Sequence, residues 1–269
     1  MSTTPQKTPC VLSIAGSDTS GGAGIQADLK TISVCGAYAL TAVTAITAQG
    51  PAGVTGMWPV PAAQLRAQIE AALAYQPAAI KIGMLGNAEL VNVVADALAA
   101  HRHIPVIMDT IIVSSSGTAL LDDEGIEHLR GRLLPLATLI TPNQLEAREL
   151  FGKDMEVVAQ LWSEKTAVAV LITGGDSDDE NCIDVLISGN NRQAFSSPRI
   201  ETRNQRGTGC TLTAAIASFI AQELSLEDSI QHARGFVRRA LSAAQAEKWP
   251  GNGPLNHFHE FDMHRFQEQ

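Results

Sequence analysis

The sequence predicts an α/β domain with a central, mostly parallel sheet and helices on both faces. Short apolar runs alternate with amphipathic stretches along nearly the whole chain, the βαβ pattern of parallel sheets. The 269 residues are 45% hydrophobic and only 4% aromatic, a core of Ala, Val, Ile and Leu that suits strands covered on both faces. Glycine-rich and polar residues fall where strands end, which is where ligands bind such sheets.

The elements follow in order. "CVLSIAG" is an apolar run ending in glycine, read as a buried strand. "IQADLKTISVCG" carries Ile25, Leu29 and Ile32 at helical spacing and stops at Gly36. "LTAVTAIT" is a β-branched strand. "AAQLRAQIEAALAYQP" places Leu65, Ile69 and Leu73 on one helical face and ends at Pro77. "AAIKIGM" is strand-like, and "NAELVNVVADALAAH" is an amphipathic helix with Asn87 as N-cap. "IPVIMD" is a strand with Asp109 at its carboxyl end. "DEGIEHLRGRLLP" is helical, "TLITPN" a strand, "QLEARELFG" a helix closed by Gly152, and "AVAVLITGG" a strand running into a double glycine. "CIDVLISGNNRQAFSSP" reads as a hairpin with a Gly-Asn-Asn turn. The remainder reads as helix from Cys210 to about Lys248.

The formal net charge of -9 argues against nucleic acid or an anionic membrane surface as a partner. Cys10, Cys35, Cys182 and Cys210 are widely spaced, so neither a disulfide framework nor a zinc site is expected. The start "MSTTPQKTPC" lacks a signal-peptide core, and "VLSIAG" is too short to span a bilayer. A cytoplasmic protein is expected. With no low-complexity linker or solenoid repeat, residues 1–269 are read as a single domain, with residues 1–9 and 260–269 as peripheral tails.

Four stretches can carry chemistry. "AGSDTSGGAGIQAD", residues 15–28, runs from strand through a Gly/Ser loop into a helix, where backbone can approach a ligand closely. Asp28 lies about one turn inside, with its carboxylate able to face the loop; a plain favourable first-turn acid is the alternative. In "LITPNQLEAREL", Asn143 and Glu146 are i and i+3 on an entering helix turn. They suit Mg²⁺ through waters, while spacing alone favours a capping box. In "RGTGCTLTAAIASFIA", Gly207, Thr208, Gly209 and Cys210 present N–H donors at a helix N-terminus, as phosphoryl transfer requires. The helix dipole should lower the Cys210 pKa, and a buried structural thiol is the alternative. Asp109 is read as a metal ligand or as the cap of the next turn. His257, His259 and His264 in "NHFHEFDMHRF" have no metal-ligand spacing and are read as an exposed tail.

These segments resemble the hydroxymethylpyrimidine/phosphomethylpyrimidine kinases of thiamine biosynthesis, within the ribokinase-like superfamily. The likeness rests on "AGSDTSGGAGIQADLKTISVCGAYALTAVTAITAQ", "KIGMLG", "VIMDTIIVSSSG", "RLLPLATLITPNQLEAREL", "SSPRIETRNQRGTGCTLTAAIA" and "GNGPLNHFH", in this order over residues 11–259. It implies a three-layer α/β/α sandwich assembled as a homodimer, with ATP and Mg²⁺. The small-molecule partners would be ATP and a pyrimidine alcohol, phosphorylated first to the monophosphate and then to the diphosphate. By motif match, Asp28 and Gln49 would hold the pyrimidine, with Gly16, Met84 and Val113 lining its pocket. Asn143, Glu146, Thr173, Gly175 and Arg206 would serve the nucleotide. Asp109 and Glu146 would serve the metal, and Gly207, Thr208, Gly209 and Cys210 the transferring phosphate. Most of the superfamily carries Asp where Cys210 stands, and the pyrimidine kinases resemble this chain in carrying Cys.

The chain departs from that pattern at Thr19, at Asn204-Gln205-Arg206, at Thr173 where lysine is common and at Asp176 where histidine is. Arg206 would be a stronger phosphate clamp. The lost lysine and gained acid bear on ATP affinity, above all in the second phosphorylation. A pyridoxal or pyridoxine kinase is the alternative within the superfamily, and a non-catalytic ligand-binding relative the alternative outside it. A nicotinamide dehydrogenase is disfavoured because the first loop lacks GxGxxG.

Overall fold

The computed structural model describes residues 8–112, 120–175 and 179–261. Val113, Asp176 and His264 lie outside the described residues. Nine strands form one sheet in the order β3-β2-β1-β4-β5-β6-β7-β8-β9. They are β1 (Cys10–Asp18), β2 (Tyr38–Gly50), β3 (Gly53–Pro59), β4 (Ala79–Ile82), β5 (Val106–Met108), β6 (Leu139–Ile140), β7 (Ala169–Ile172), β8 (Asn181–Ser188) and β9 (Asn191–Pro198). From β2 through β7 in sheet order, neighbours pair in parallel. β3, β8 and β9 join antiparallel at the two edges.

The α-helices are α1 (Gly24–Val34), α2 (Ala62–Leu73), α3 (Ala88–Ala99), α4 (Asp123–His128), α5 (Gln144–Phe151), α6 (Met155–Thr166), α7 (Thr208–Ala221) and α8 (Leu226–Ala244). Side chains alternate across a strand, and the core divides accordingly. Leu12, Ile14, Ile80, Ile82 and Met108 pack with Leu65 of α2, Leu90 of α3 and Phe151 of α5. Val11, Ala79, Ile107 and Leu139 pack with Ile32 of α1, Ile216 of α7 and Phe236 of α8. This gives the three expected layers and brings α1 and α7 together over the central strands.

Three elements differ from the sequence reading. β3 pairs with β2 alone; its "GVTGMWP" is punctuated by glycine and proline and does not read as a strand. α6 has a blurred helical period because Val157, Val158 and Leu161 face outward, whereas Ala159 and Ser163 are buried. The end, read as mostly helical from Cys210 to about Lys248 with no break placed, is two helices. The chain breaks after α7 through Glu223 at φ 66, and the Ser225 side chain caps α8 by accepting from the Asp228 amide.

The terminal histidines are a further correction. His257 is 2% exposed, and His259 stacks on Phe236 with ring centroids 5.1 Å apart. Burial, aided by the Lys30 charge, pushes the His257 pKa down from 6.5 to about 4. The unfolded chain then takes up this proton before the folded chain does. Its contribution to stability is present above pH 6.5 and is lost as pH falls toward 4. Urea unfolding at pH 7 and at pH 5 should show a larger loss for wild type than for His257→Gln. Equal losses in both proteins would refute it.

Candidate active site

Lys81 and Asp28 form a buried ion pair beneath the carboxyl edge of the sheet. Lys81 occupies the β4 position whose side chain faces α1 and α7, between Ile80 and Ile82 on the other face. Its Nζ donates to Asp28 Oδ2 at 2.8 Å, and both side chains are 0% exposed. Ser13 Oγ of β1 donates to the same oxygen at 2.6 Å, while Asp28 Oδ1 has no hydrogen-bond partner. Burial works against the Lys81 charge, but Asp28, Cys210 and Asp109 together outweigh it and raise its pKa. Asp28 therefore faces the sheet, not the glycine loop as the sequence suggested.

Above this pair sit the groups with perturbed proton affinities. Asp109 follows β5 directly and Cys210 lies in the first turn of α7, each 7% exposed. The thiol and the Asp109 carboxylate are close enough to shift each other's proton affinity. Burial pushes Asp109 up to about 6, with Lys81 pulling the other way. Burial pushes Cys210 up to about 12 against the pull of Lys81. The expected drop in the Cys210 pKa is thus overturned: desolvation and neighbouring carboxylates exceed the helix-end effect.

Glu146 lies beside Asp109. It forms the capping box with Asn143, with Asn143 N donating to Glu146 Oε2 at 3.0 Å and Glu146 N to Asn143 Oδ1 at 2.9 Å. Thr110 Oγ1 also approaches Oε2 at 3.4 Å. Burial, then the Asp109 charge, push Glu146 up to about 8. Two neighbouring buried carboxyls, each with raised proton affinity, have the hard-oxygen chemistry that a divalent cation relieves.

The first loop is organised by Asp18, which sequence reasoning missed. Its carboxylate accepts from the Ser20 and Ala23 amides at 2.9 and 2.8 Å, so these donors are engaged within the loop. The loop meets the N-terminus of α7 backbone to backbone: a Cβ at Gly207, φ 82, would collide with the Gly22 carbonyl. Gly207→Ala should therefore cost at least about 1–3 kcal/mol from its left-handed backbone alone. The expected result is a clear drop in Tm together with loss of turnover; an alanine variant with wild-type Tm would contradict the packing. Thr208 N bonds the Gln205 carbonyl at 3.3 Å, which leaves the Gly209 and Cys210 amides as the first-turn donors an anion would meet.

Arg206 is not the exposed phosphate clamp the sequence suggested. It is 7% exposed, donates to the Gly50 carbonyl at 3.1 Å and lies 3.6 Å from Asp18, tying the two loops to the end of β2. Gln49 is half-buried beside that contact. Gly16 and Met84 are brought together, since a Cβ at Gly16 would strike the Met84 methyl. On the other side, Thr173 pairs with Asn143 as an isolated bridge. Asp184 accepts from the Gly174 amide at 2.8 Å and pairs with Arg234 of α8. Arg199 donates to the Gly175 carbonyl at 2.8 Å.

Residues 18–256 match the family model described as phosphomethylpyrimidine kinase. The chain belongs to the phosphomethylpyrimidine kinase family. It is 40% identical to the hydroxymethylpyrimidine/phosphomethylpyrimidine kinase of Rhizobium meliloti, over 94% of this chain and 98% of that one. The Escherichia coli protein of the same name is 39% identical over 92% of this chain and 97% of its own length. Among solved structures, phosphomethylpyrimidine kinase from Clostridium difficile has a TM-score of 0.76 at 34% identity, covering 87% of this chain and 100% of that one. Pyridoxal kinase from Staphylococcus aureus in complex with AMP-PCP and pyridoxal has a TM-score of 0.84 at 31% identity, covering 94% of each chain.

This member of the phosphomethylpyrimidine kinase family is a phosphotransferase with the ribokinase-like α/β/α fold. Its site brings Asp109, Cys210 and Glu146 together at the carboxyl ends of the central strands, with Gly16 and Met84 on one side and Thr173 on the other. Lys81, Asp18 and Asp184 are the residues that sequence reasoning passed over. Lys81 had a signal, a lysine at the centre of the apolar "AAIKIG". Asp184 had a weaker one, an acid in a hairpin strand that is otherwise apolar there.

Proposed function

We propose that the protein transfers the terminal phosphate of ATP to the hydroxymethyl group of 4-amino-5-hydroxymethyl-2-methylpyrimidine and then phosphorylates the monophosphate, in thiamine biosynthesis. The observation that carries this reading is the Cys210 thiol, placed in the first turn of a glycine-started helix and buried beside Asp109. A substrate hydroxyl at this point meets a proton acceptor and backbone donors for the phosphate at once. Gly16, Met84 and Gln49 form the pyrimidine side, and Val113, also expected there, lies outside the described residues. Thr173, Gly175 and Asn143 form the nucleotide side, and Arg206 supports both loops from beneath. Asp28 acts through Lys81, below the pocket floor.

Asp109 and Glu146 are the residues that would hold Mg²⁺. Both are buried acids with raised proton affinity, and one or two carboxylates with substrate phosphates are a usual Mg²⁺ set. Bound there, Mg²⁺ would neutralise charge on the donor phosphates. A cytoplasmic homodimer completes the reading. The four free cysteines suit a reducing compartment. The β3 edge, with the exposed cross-strand pair Ile46 and Trp58, offers a surface for a second copy.

The likeness to the pyridoxal kinase fold supports a second reading, pyridoxal as the alcohol. ATP consumption measured in parallel with hydroxymethylpyrimidine, its monophosphate and pyridoxal separates the two. Turnover of both pyrimidines is expected. Turnover of pyridoxal alone would sink the pyrimidine assignment, and no turnover of any would sink the kinase reading.

A further inference from the structure

The C-terminal "GNGPLNH", residues 251–257, has no place in the chemistry above, yet it is built into the floor of the anion cradle. The N-terminus of α7 has no side-chain cap and begins at a left-handed glycine. Its approach loop must therefore be held from outside, and the C-terminal segment does so. Asn252 Oδ1 accepts from the Gln205 amide at 3.0 Å, and the Gly253 carbonyl from the Arg206 amide at 3.0 Å. Arg206 and Pro254 form a parallel bridge. Gln205 in turn holds Thr208, whose hydroxyl donates to its carbonyl at 2.6 Å. The chain of contacts thus runs from the segment to Gln205 and Arg206, and from there into Thr208.

Beyond that bridge the segment is pinned. Leu255 is buried with the α7 and α8 core, and His257 Nε2 lies 3.0 Å from Thr211 Oγ1, next after Cys210 in α7. One of these two atoms donates and the other accepts, so the bond ties the segment directly to α7. Thr211 is 0% exposed, so this hydroxyl has no solvent to turn to.

We infer that residues 251–257 are a positioning element for the anion cradle: the segment fixes residues 205–210, and the His257–Thr211 hydrogen bond locks it in place. The inference rests on the reading of residues 207–210 as the phosphate cradle. His257 touches no reacting atom and acts through α7 and its approach loop.

The test uses the full chain with His257→Ala and His257→Gln, the glutamine offering an acceptor near the Nε2 position. Amide hydrogen exchange at residues 205–211 is measured beside steady-state kinetics with ATP and hydroxymethylpyrimidine. His257→Ala should speed exchange at these amides at least tenfold and lower kcat by about 10–100-fold, the scale of a small misplacement of catalytic donors. KM for the pyrimidine alcohol should stay within about twofold, because the pyrimidine side is untouched. His257→Gln should recover most of both losses, and Thr211→Val should reproduce the alanine pattern if His257→Ala does not fold. Wild-type exchange in the alanine variant would overturn the inference, as would faster exchange with unchanged kcat, or equal loss in the alanine and glutamine variants. An inactive wild type would count against the kinase reading alone, since the exchange contrast decides the positioning independently.

Discussion

Lys81→Met should destabilise the protein by about 3–5 kcal/mol, the cost of leaving a buried charge without its partner. Asp28 has no route to water, since both side chains of the pair are 0% exposed. It keeps only the Ser13 hydroxyl on Oδ2, and nothing on Oδ1. The acid would then ionise only with difficulty and would retain unsatisfied acceptors in a dry interior. The double variant Lys81→Met with Asp28→Leu should recover much of the loss, because apolar side chains can replace a buried pair at little cost. Guanidinium unfolding should show this as a shifted midpoint with an unchanged m-value. A Lys81→Met midpoint equal to wild type would mean that water reaches Asp28, and the buried pair would have to be abandoned.

The sheet and its layers were legible because the strands obey a simple rule. β1 and β4 are mostly apolar runs, and each is followed by a helix of helical period. β3 and α6 were not legible, for opposite reasons. One is a two-strand edge ribbon with turn-like composition. The other turns apolar side chains outward, so that its period no longer marks its buried face. The two-helix end was hidden because the α7 to α8 break uses Glu223, a residue that carries no turn signature.

Within the site, legibility followed the strand ends. Asp109, Asn143, Met84 and Gly16 stand where strands stop, and position along the chain placed them. What a linear reading did not supply was which side chains point down. Asp28 and Lys81 are far apart in sequence and meet only because α1 lies against the face of β4 that Lys81 occupies. Arg206 looked like an anion clamp because it departs from the family pattern just before the glycine loop, and it is occupied because Asp18 and Gly50 come from distant loops. Cys210 shows the electrostatic limit of the same reading. A helix N-terminus is visible in sequence, but the carboxylates and the burial that outweigh it are not.

That limit decides the chemistry expected of Cys210 and Asp109. With its pKa pushed up to about 12, the thiol would be ionised in roughly one molecule in 10⁵ at pH 7, too few for a resident thiolate base. Asp109, raised only to about 6, is ionised at neutral pH and lies close to that thiol. We propose that the substrate hydroxyl proton passes to sulfur as the thiol proton moves toward Asp109, while the hydroxyl oxygen bonds the terminal phosphorus of ATP and the bond from that phosphorus to the ADP oxygen breaks, ADP leaving. Asp109→Asn should then lower kcat/KM by about 10²–10⁴, the range of a general base, and Cys210→Ala by less, since positioning and charge dominate phosphoryl transfer. The sign of the pH dependence follows. Without a cation the Asp109 pKa is raised from 3.8 to about 6, and the ionised form is the active one. kcat/KM should fall as pH drops below 6, less steeply as Mg²⁺ is raised because a bound cation favours the ionised carboxylate, and stay level from pH 7 to 9. A profile that keeps climbing from pH 7 to 10 would make the thiolate the base after all, and undiminished activity in Cys210→Ala would remove the cysteine from the reaction.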